Sequence, residues 1–427
     1  MADLIGKVRR VAIFGGTFNP PHNGHVRMLQ AVATAAWADK TIVIPAGNPP
    51  HKTALYRLPA TYRLAMSRLA FSSLAEVSPC EVEREGKSFT IDTLKLIQEQ
   101  YAPNGEPPEM GLVIGADSLV ELPTWYKARD IMAMATLLVI RRPGISETKL
   151  KEAADGLKRE YGAKIILIDC PETDVSSTKL RDTLQAILAK PQNVPTGMPE
   201  TIPDNLRSLP IPPEVLRFIL TNGLYAYYDL FDGFSPDAYF ECVDIERKLR
   251  RRLTAARLIH SLNVYCLALA MANANAINKD EAGLAAILHD CAKQMSRSDC
   301  LLLCPELLAK EADYPFPIWH SDVGAVVAAN DFGITSPSVI NAIRFHTTLH
   351  AGATKLEELV FVADKLEPSR TYTDLSELRH KLSRDVEEAA YFTALTIAKK
   401  QPELGQKVDS NMLAFLAEKA KKYALKA

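Results

Sequence analysis

The stretch Gly15–Val26, GGTFNPPHNGHV, joins the apolar run Val11–Phe14 to a helix-like segment from Arg27 to Trp37, and sets glycines and histidines in one strand-to-helix turn. Glycines after a buried strand let a ligand approach the backbone, and a helix start offers unpaired N–H groups and partial positive charge to an anion. A phosphate at Gly15, Gly16, Thr17 and Phe18 fits that chemistry, although Gly15-Gly16 alone fits a ligand-free tight turn as well. Neither common phosphate loop, GxxxxGK(S/T) or GxGxxG, is present. In their place stand His22 and His25, and imidazoles three residues apart at a helix start share one face.

A second set lies beyond residue 240, where six of the nine histidines fall. His260 sits on a stripe at helical spacing (Leu249, Leu253, Ala256, His260, Val264, Leu267, Met271), and Asp364 sits in the apolar run Val360–Lys365. A carboxylate buried there is costly unless paired or metal-bound. Each residue alone fits a hydrogen-bonded core. The set His260, His289-Asp290, His320, His346 and Asp364, spread over separate helical segments, suits a divalent metal. His350 and His380 read as surface residues.

Positioning these groups takes two architectures. Apolar runs at Val11–Phe14, Thr41–Pro45, Leu112–Ile114, Leu137–Ile140 and Ile165–Ile168 alternate with helical stretches such as Thr61–Leu74, the pattern of a doubly wound α/β domain with a parallel sheet buried on both faces. Residues 189–213, dense in proline and polar side chains, read as an excursion without its own core, and PPEVLRFILTNGLY as a proline-started helix with a glycine cap. From Phe240 on the pattern is helical throughout. The expected organisation is an α/β domain over 1–228, a linker over 229–236 and an all-α domain over 237–427. At 427 residues each half has room for a core. A formal charge of −1 argues against bulk attraction to nucleic acid or an anionic membrane, so anionic ligands must be caught locally. Seven scattered cysteines with no CxxC pair, and no signal peptide or long apolar run, lead to the expectation of a reduced, cytoplasmic chain.

The turn GGTFNPPHNGH resembles the HxGH signature of the nucleotidylyltransferase superfamily, and Val175–Arg181 (VSSTKLR) resembles its ISSTxIR motif. Further segments resemble the bacterial nicotinate-nucleotide adenylyltransferases: Pro45–Lys52 (PAGNPPHK), Ser88–Leu94 (SFTIDTL), Gly115–Leu119 (GADSL), Trp125-Tyr126 and Arg142–Gly144. Phe89 stands where tyrosine is common in that family. The resemblance, from about Val11 to Tyr225, implies transfer of the adenylyl group of ATP to nicotinate mononucleotide, giving deamido-NAD and pyrophosphate, with Mg²⁺ on the triphosphate. It implies that His22, His25, Ser176, Ser177, Thr178 and Arg181 meet the ATP phosphates, His25 nearest the α-phosphate, and that Gly115 and Asp117 receive adenosine. It also implies that Asn48, Thr90, Trp125 and Tyr126 hold the pyridine part of the acceptor, and Lys52 and Arg142 its phosphate. Without the resemblance Trp125 reads equally as a half-buried core aromatic, and Lys52 as a solvated charge.

The order H…HD…H…H…D in the second half resembles the dinuclear HD-domain phosphohydrolases, and LHDCAK, HSDVGA, RFHTT and ADKLEPSR resemble the YqeK-like symmetrical diadenosine tetraphosphate hydrolases over roughly 240–415. That resemblance implies that His260, His289, Asp290, His320, His346 and Asp364 hold two metals, iron or manganese, with zinc left open, and that diadenosine tetraphosphate is cleaved to two ADP. Lys293 and Arg370 fit polyphosphate neutralisation or plain surface ion pairs. The expectation is a bifunctional enzyme. The alternatives are another acceptor, such as phosphopantetheine or nicotinamide mononucleotide, with a different nucleotide phosphohydrolase substrate, or a non-catalytic helical module.

Overall fold

The computed structural model describes residues 8–48, 58–102, 106–141, 145–171, 175–189, 202–227, 230–311, 314–371 and 374–423. The chain divides into two compact units, Met1–Thr183 with Ile202–Phe218, and Leu184–Thr201 with Ile219–Ala427.

The first unit is built on a parallel sheet of β1 (Arg10–Gly16), β2 (Lys40–Pro45), β3 (Glu76–Val77), β4 (Glu109–Gly115), β5 (Ala135–Ile140) and β6 (Ile165–Ile168). Val11 through Phe14 and Ala135 through Ile140 are buried throughout, as strands covered on both faces must be. The edge strand β6 departs from this, leaving Ile166 and Leu167 exposed. β3 spans two residues and leaves no apolar run in the sequence. Strand order is β3-β2-β1-β4-β5-β6, so the direction of winding reverses between β1 and β4. In open α/β sheets, ligands bind outside the carboxyl ends of the strands at this switch point. Both glycine turns, at Gly15-Gly16 and Gly115, leave from these two strands.

The loops that leave β1 and β2 are tied together by one buried cation. Arg63, on the helix Ala60–Phe71 and 2% exposed, donates from Nη1 to the carbonyls of Thr17 (3.1 Å) and Ala46 (2.6 Å), from Nη2 to Gly47 (3.3 Å) and from Nε to Leu58 (3.2 Å). Gly47 meets a second constraint, since a Cβ there would lie 2.0 Å from the carbonyl oxygen of Glu81. Only glycine fits.

Residues 202–212 differ from the expected coreless excursion. They form a short helix, Asp204–Arg207, bury Leu206 and Ile211, and present the Pro210 carbonyl to the backbone N–H of Asn23 (2.9 Å). That N–H opens the helix Asn23–Thr34 and has no partner within it, which is why the segment is held. The proline-started helix is Pro213–Thr221, followed by Gly223 at φ +61°.

The second unit is helical throughout its described residues. The periodic stripe from Leu249 is broken: the helix Pro236–Leu249 ends there, and Thr254 caps the next helix, Ala255–Ala272, by accepting from the Arg257 N–H (3.4 Å). Ala256 is consequently exposed, whereas His260, Val264 and Leu267 are buried. The segment Ala255–Asn275 is long and apolar enough to cross a membrane by composition, but 67% of its apolar stretch is buried inside the helical unit, as a core helix is. The stretch 219–227, assigned by sequence to the first half, packs in the second unit: Asn222 Oδ1 accepts from Asn263 Nδ2 (3.0 Å), and the Tyr227 hydroxyl is buried there.

Replacing Arg63 with Met removes the guanidinium bonds to four carbonyls and is expected to destabilise the β1 and β2 loops by about 3 kcal/mol. Amide exchange read by mass spectrometry is then expected to accelerate about 100-fold in peptides covering 11–18 and 40–48, with the helices beyond residue 255 unchanged.

Candidate functional site

Two clusters of functional side chains stand out, one in each unit. In the first, His22 precedes the helix Asn23–Thr34 and closes a reciprocal capping box with His25. The backbone N–H of His22 donates to Nδ1 of His25 (3.2 Å), so neutral His25 carries its proton on Nε2 and is a donor there. The two rings stack with centroids 3.7 Å apart, and Phe18 meets the His25 ring edge-on at 5.1 Å. Gly15 has open space around an added Cβ, whereas one on Gly16 would lie 2.7 Å from the Phe18 ring. Phe18 itself is 2% exposed at φ +48°, so it offers a ligand backbone rather than side chain.

The motif at Val175–Arg181, far away in sequence, meets this turn directly. Ser177 Oγ donates to the Pro20 carbonyl (3.0 Å), and Arg181 Nη1 donates to the Asn19 carbonyl (2.8 Å) while Nη2 reaches Thr178 Oγ1 (3.1 Å). Ser176 Oγ accepts from the Lys179 N–H (3.2 Å) and caps the helix Ser177–Leu188. Histidines, hydroxyls and a guanidinium thus gather where a helix N-terminus already favours anions.

Gly115 precedes the helix Ala116–Glu121 at the end of β4, with Asp117 exposed in its first turn. Asn48 is fixed by Ser88, whose hydroxyl accepts its N–H (3.3 Å) and whose N–H donates to its carbonyl (2.9 Å). Thr90 opens the helix Thr90–Gln100, and Phe89 just before it packs against Tyr126 at 4.4 Å between centroids. Trp125 is partly buried against the sheet core and Tyr126 is 48% exposed. Lys52 and Arg142 lie outside the described residues.

In the second unit, His260, His289, Asp290, His320, His346 and Asp364 are all buried and converge. His289 Nδ1 faces the Ala286 carbonyl (2.7 Å), His320 Nδ1 the Pro317 carbonyl (2.9 Å) and His346 Nδ1 the Ile343 carbonyl (2.7 Å). A carbonyl only accepts, so each Nδ1 holds the proton and each neutral ring turns an Nε2 lone pair inward. Those lone pairs meet acceptors. His320 Nε2 lies 3.2 Å from His346 Nε2 and 3.2 Å from Asp290 Oδ1, while His289 Nε2 is buried with no hydrogen-bond partner. Asp290 faces both ways: Oδ1 toward His320 and His346 (3.7 Å), Oδ2 toward His289 (3.5 Å) and His260 (3.8 Å). Asp364 Oδ1 lies 3.0 Å from His260 Nε2 and 3.8 Å from His289 Nε2. Two overlapping triplets, His260/His289/Asp364 and His289/Asp290/His346, bring their donor atoms within 4.8 Å. Buried lone pairs and carboxylates aimed at each other fit divalent cations.

Electrostatics agree with this geometry. Burial works against charge on Asp290 and Asp364, yet positive charge close by holds both carboxyls well below the usual range: the surrounding imidazoles at Asp290 where they bear a second proton, and Lys365 with His260 at Asp364. Burial lowers His320 and pushes His346 down to about 4. Lys293 Nζ sits 3.3 Å from the His320 ring nitrogens, and Arg370 Nη2 3.1 Å from Asp364 Oδ1. Three further participants were not singled out in the sequence: Arg257 (Nη1 2.8 Å from Asp290 Oδ2), Lys365 on Asp364, and Glu367 (Oε1 3.1 Å from His260 Nδ1). Arg257 and Glu367 stand three residues before His260 and after Asp364, one helical turn away, which is the spacing that could have flagged them.

A Cytidylyltransferase-like family model matches residues 13–183, and an HD domain model matches residues 257–369. The chain is 35% identical over 219 residues to a probable nicotinate-nucleotide adenylyltransferase of Roseiflexus sp. (strain RS-1), spanning 97% of that protein and 50% of this chain. It is 32% identical over 220 residues to the nicotinate-nucleotide adenylyltransferase of Bacillus subtilis (strain 168), spanning 99% of that protein and 51% of this chain. A crystal structure described as a predicted HD superfamily hydrolase involved in NAD metabolism, from Clostridium acetobutylicum, aligns at 25% identity and TM-score 0.40, covering 42% of this chain and 96% of that one.

Because the fold holds His346 neutral down to about 4 while an unfolded histidine protonates near 6.5, the unfolded state binds the extra proton between these values. Stability of metal-stripped protein is therefore expected to fall as pH drops through this window, by roughly 3 kcal/mol at most. Urea midpoints of the second unit's transition at about pH 7 and about pH 4.5 check the sign.

Proposed function

We propose a function from one premise: through its N-terminal half the chain belongs to the nicotinate-nucleotide adenylyltransferase family, and its C-terminal half holds an HD domain. The first half transfers the adenylyl group of ATP to nicotinate mononucleotide, yielding deamido-NAD and pyrophosphate. The observation that carries this reading is the docking of Ser177 and Arg181 onto the Asn19-Pro20 carbonyls beside the His22–His25 pair, at the sheet's switch point.

The acceptor's phosphate oxygen attacks the α-phosphorus in line, the bond to the bridging oxygen breaks, and pyrophosphate leaves, so the protein's task is positioning and charge stabilisation. His25, with Nδ1 occupied by the His22 N–H, donates from Nε2–H to the α-phosphate. Arg181 and the hydroxyls of Ser176, Ser177 and Thr178 take the β- and γ-phosphates, and the backbone at Gly15, Gly16, Thr17 and Phe18 borders them. Mg²⁺ bound with ATP would supply counter-charge for the leaving pyrophosphate. Gly115 and Asp117 receive adenosine. Asn48, Thr90 and the backbone at Tyr126 hold the nicotinate end, Trp125 stacks on the pyridine, and Lys52 and Arg142 bind the acceptor's phosphate.

The second half is a metal-dependent hydrolase of dinucleoside polyphosphates, cleaving diadenosine tetraphosphate to two ADP. Its supporting observation is the unpartnered, buried His289 Nε2 within a ring of inward lone pairs. His260, His289, Asp364 and Oδ2 of Asp290 would hold one ion, and Oδ1 of Asp290 with His320 and His346 the other, iron or manganese. Bound metals supply Lewis acidity and activate water near neutral pH. Arg257, Lys293, Lys365 and Arg370 surround the ligand set and give a polyphosphate its counter-charge.

Replacing His25 with Ala is expected to cut kcat for deamido-NAD synthesis by about 10²–10³. Trp125→Ala is expected to raise KM for nicotinate mononucleotide about 10-fold with little change in KM for ATP. Both are read by pyrophosphate release from the full-length chain. Unaltered kinetics in both variants contradict the assignment.

Asp290→Ala is expected to remove bound metal, read by plasma mass spectrometry, and to abolish ADP release from diadenosine tetraphosphate while leaving deamido-NAD synthesis intact. Full metal content in that variant excludes the hydrolase reading.

A further inference from the structure

We infer that the two metal positions of the helical unit are unequal, and that Glu367, acting through His260, makes the His260 side the one that fills first. The inference rests on the metal-dependent reading above. Of the four imidazoles, three turn Nδ1 to a backbone carbonyl, at Ala286, Pro317 and Ile343. His260 alone turns Nδ1 to a carboxylate, Oε1 of Glu367 at 3.1 Å. Glu367 is 1% exposed and is held in that place by Asn263 Nδ2 (3.0 Å), the Ser369 N–H (2.7 Å) and Ser369 Oγ (2.6 Å). A buried carboxylate behind an imidazole fixes its tautomer, stops the ring from turning and makes the opposite nitrogen a stronger donor.

The ligand atoms differ in the same direction. On the His260 side, Oδ1 of Asp364 and Oδ2 of Asp290 stand with Nε2 of His260 and His289, so two anionic oxygens would be available to an ion there. The other side has one, Oδ1 of Asp290, with His320 and His346. Basic side chains border both positions. Arg257, Lys365 and Arg370 touch the carboxylates of the first, and Lys293 stands 3.3 Å from His320 Nε2 at the second. The cations, three against one, work in the opposite direction, so what favours the first position is its second anionic oxygen and the carboxylate behind His260. Glu367 is a positioning residue, because it reaches the metal only through the ring it holds.

Full-length protein stripped by a chelator and titrated with Mn²⁺ tests this. Calorimetry is expected to show two steps separated by about 10-fold or more in Kd, and electron paramagnetic resonance a mononuclear Mn²⁺ signal up to one equivalent, with the coupled dinuclear signal growing only afterwards. In Glu367→Gln the first step is expected to weaken about 10- to 100-fold and the second to stay within about 3-fold, its persistence showing that the unit is folded. A coupled signal from the first addition, or a Glu367→Gln protein that is folded and keeps its tight step, overturns the inference. The wild-type resonance titration decides it alone if the variant does not fold. Two equal steps remove this inference and leave the hydrolase reading standing; no Mn²⁺ uptake by wild type removes both.

Discussion

Inward-facing lone pairs govern the helical unit. Three imidazoles commit their Nδ1 hydrogens to carbonyls at Ala286, Pro317 and Ile343, so their Nε2 atoms have no proton to give, and all three meet at Asp290, which has none either. Left to themselves these groups repel in a medium where water cannot screen them. The helices that carry them come together because large apolar surfaces around the cluster are buried, with Leu262, Val264, Leu288, Leu359 and Phe361 almost wholly inaccessible. Basic side chains at Arg257, Lys365 and Arg370 offset part of the negative charge. The core thus holds together a set of donors that would not assemble on their own, which is how a site for a cation is made before the cation arrives.

The α/β unit solves a different problem with a different use of histidine. Its sheet order fixes where a ligand can lie, and the rest of the machinery is hung on backbone carbonyls around that point. Arg63 ties the ends of β1 and β2, while Ser177 and Arg181 bind the turn after β1. His25 is oriented by an N–H rather than by a carbonyl, and the consequence is the opposite tautomer from that of the helical unit's rings: Nε2 carries a proton in the one and a lone pair in the others. One residue type serves both chemistries because its two nitrogens can be assigned by their neighbours.

Much of this was legible in the sequence. The five longer strands appear as apolar runs, the His22–His25 pair and the order of six ligand residues stand out by spacing, and the change from α/β to helical texture near residue 240 is plain. What was not legible shares a physical character. Arg63 acts by donating to carbonyls distant in sequence, and such bonds leave no periodicity; Arg181 stands out in its motif, but its bond to the Asn19 carbonyl does not. Glu367 is one more acid after an aspartate until the fold places it behind His260. The interruption at 250–254 was hidden because Leu249 and Leu253 are both buried, so the stripe looked continuous while the helix was not. Residues 202–212 look polar and proline-rich, yet are retained by Leu206, Ile211 and one carbonyl.

That carbonyl bears on how the chain emerges during synthesis. The helix carrying His25 is translated well before its partners: its leading N–H is satisfied by Pro210, and the turn before it by Ser177 and Arg181. The strands of the sheet are complete by Ile168, so a collapsed sheet can exist while the phosphate turn still lacks its closing partners. The turn that carries His22 and His25 is therefore closed later than the sheet, although it precedes five of the six strands along the chain, and a piece of this unit that stops short of residue 210 lacks the partner of the Asn23 N–H.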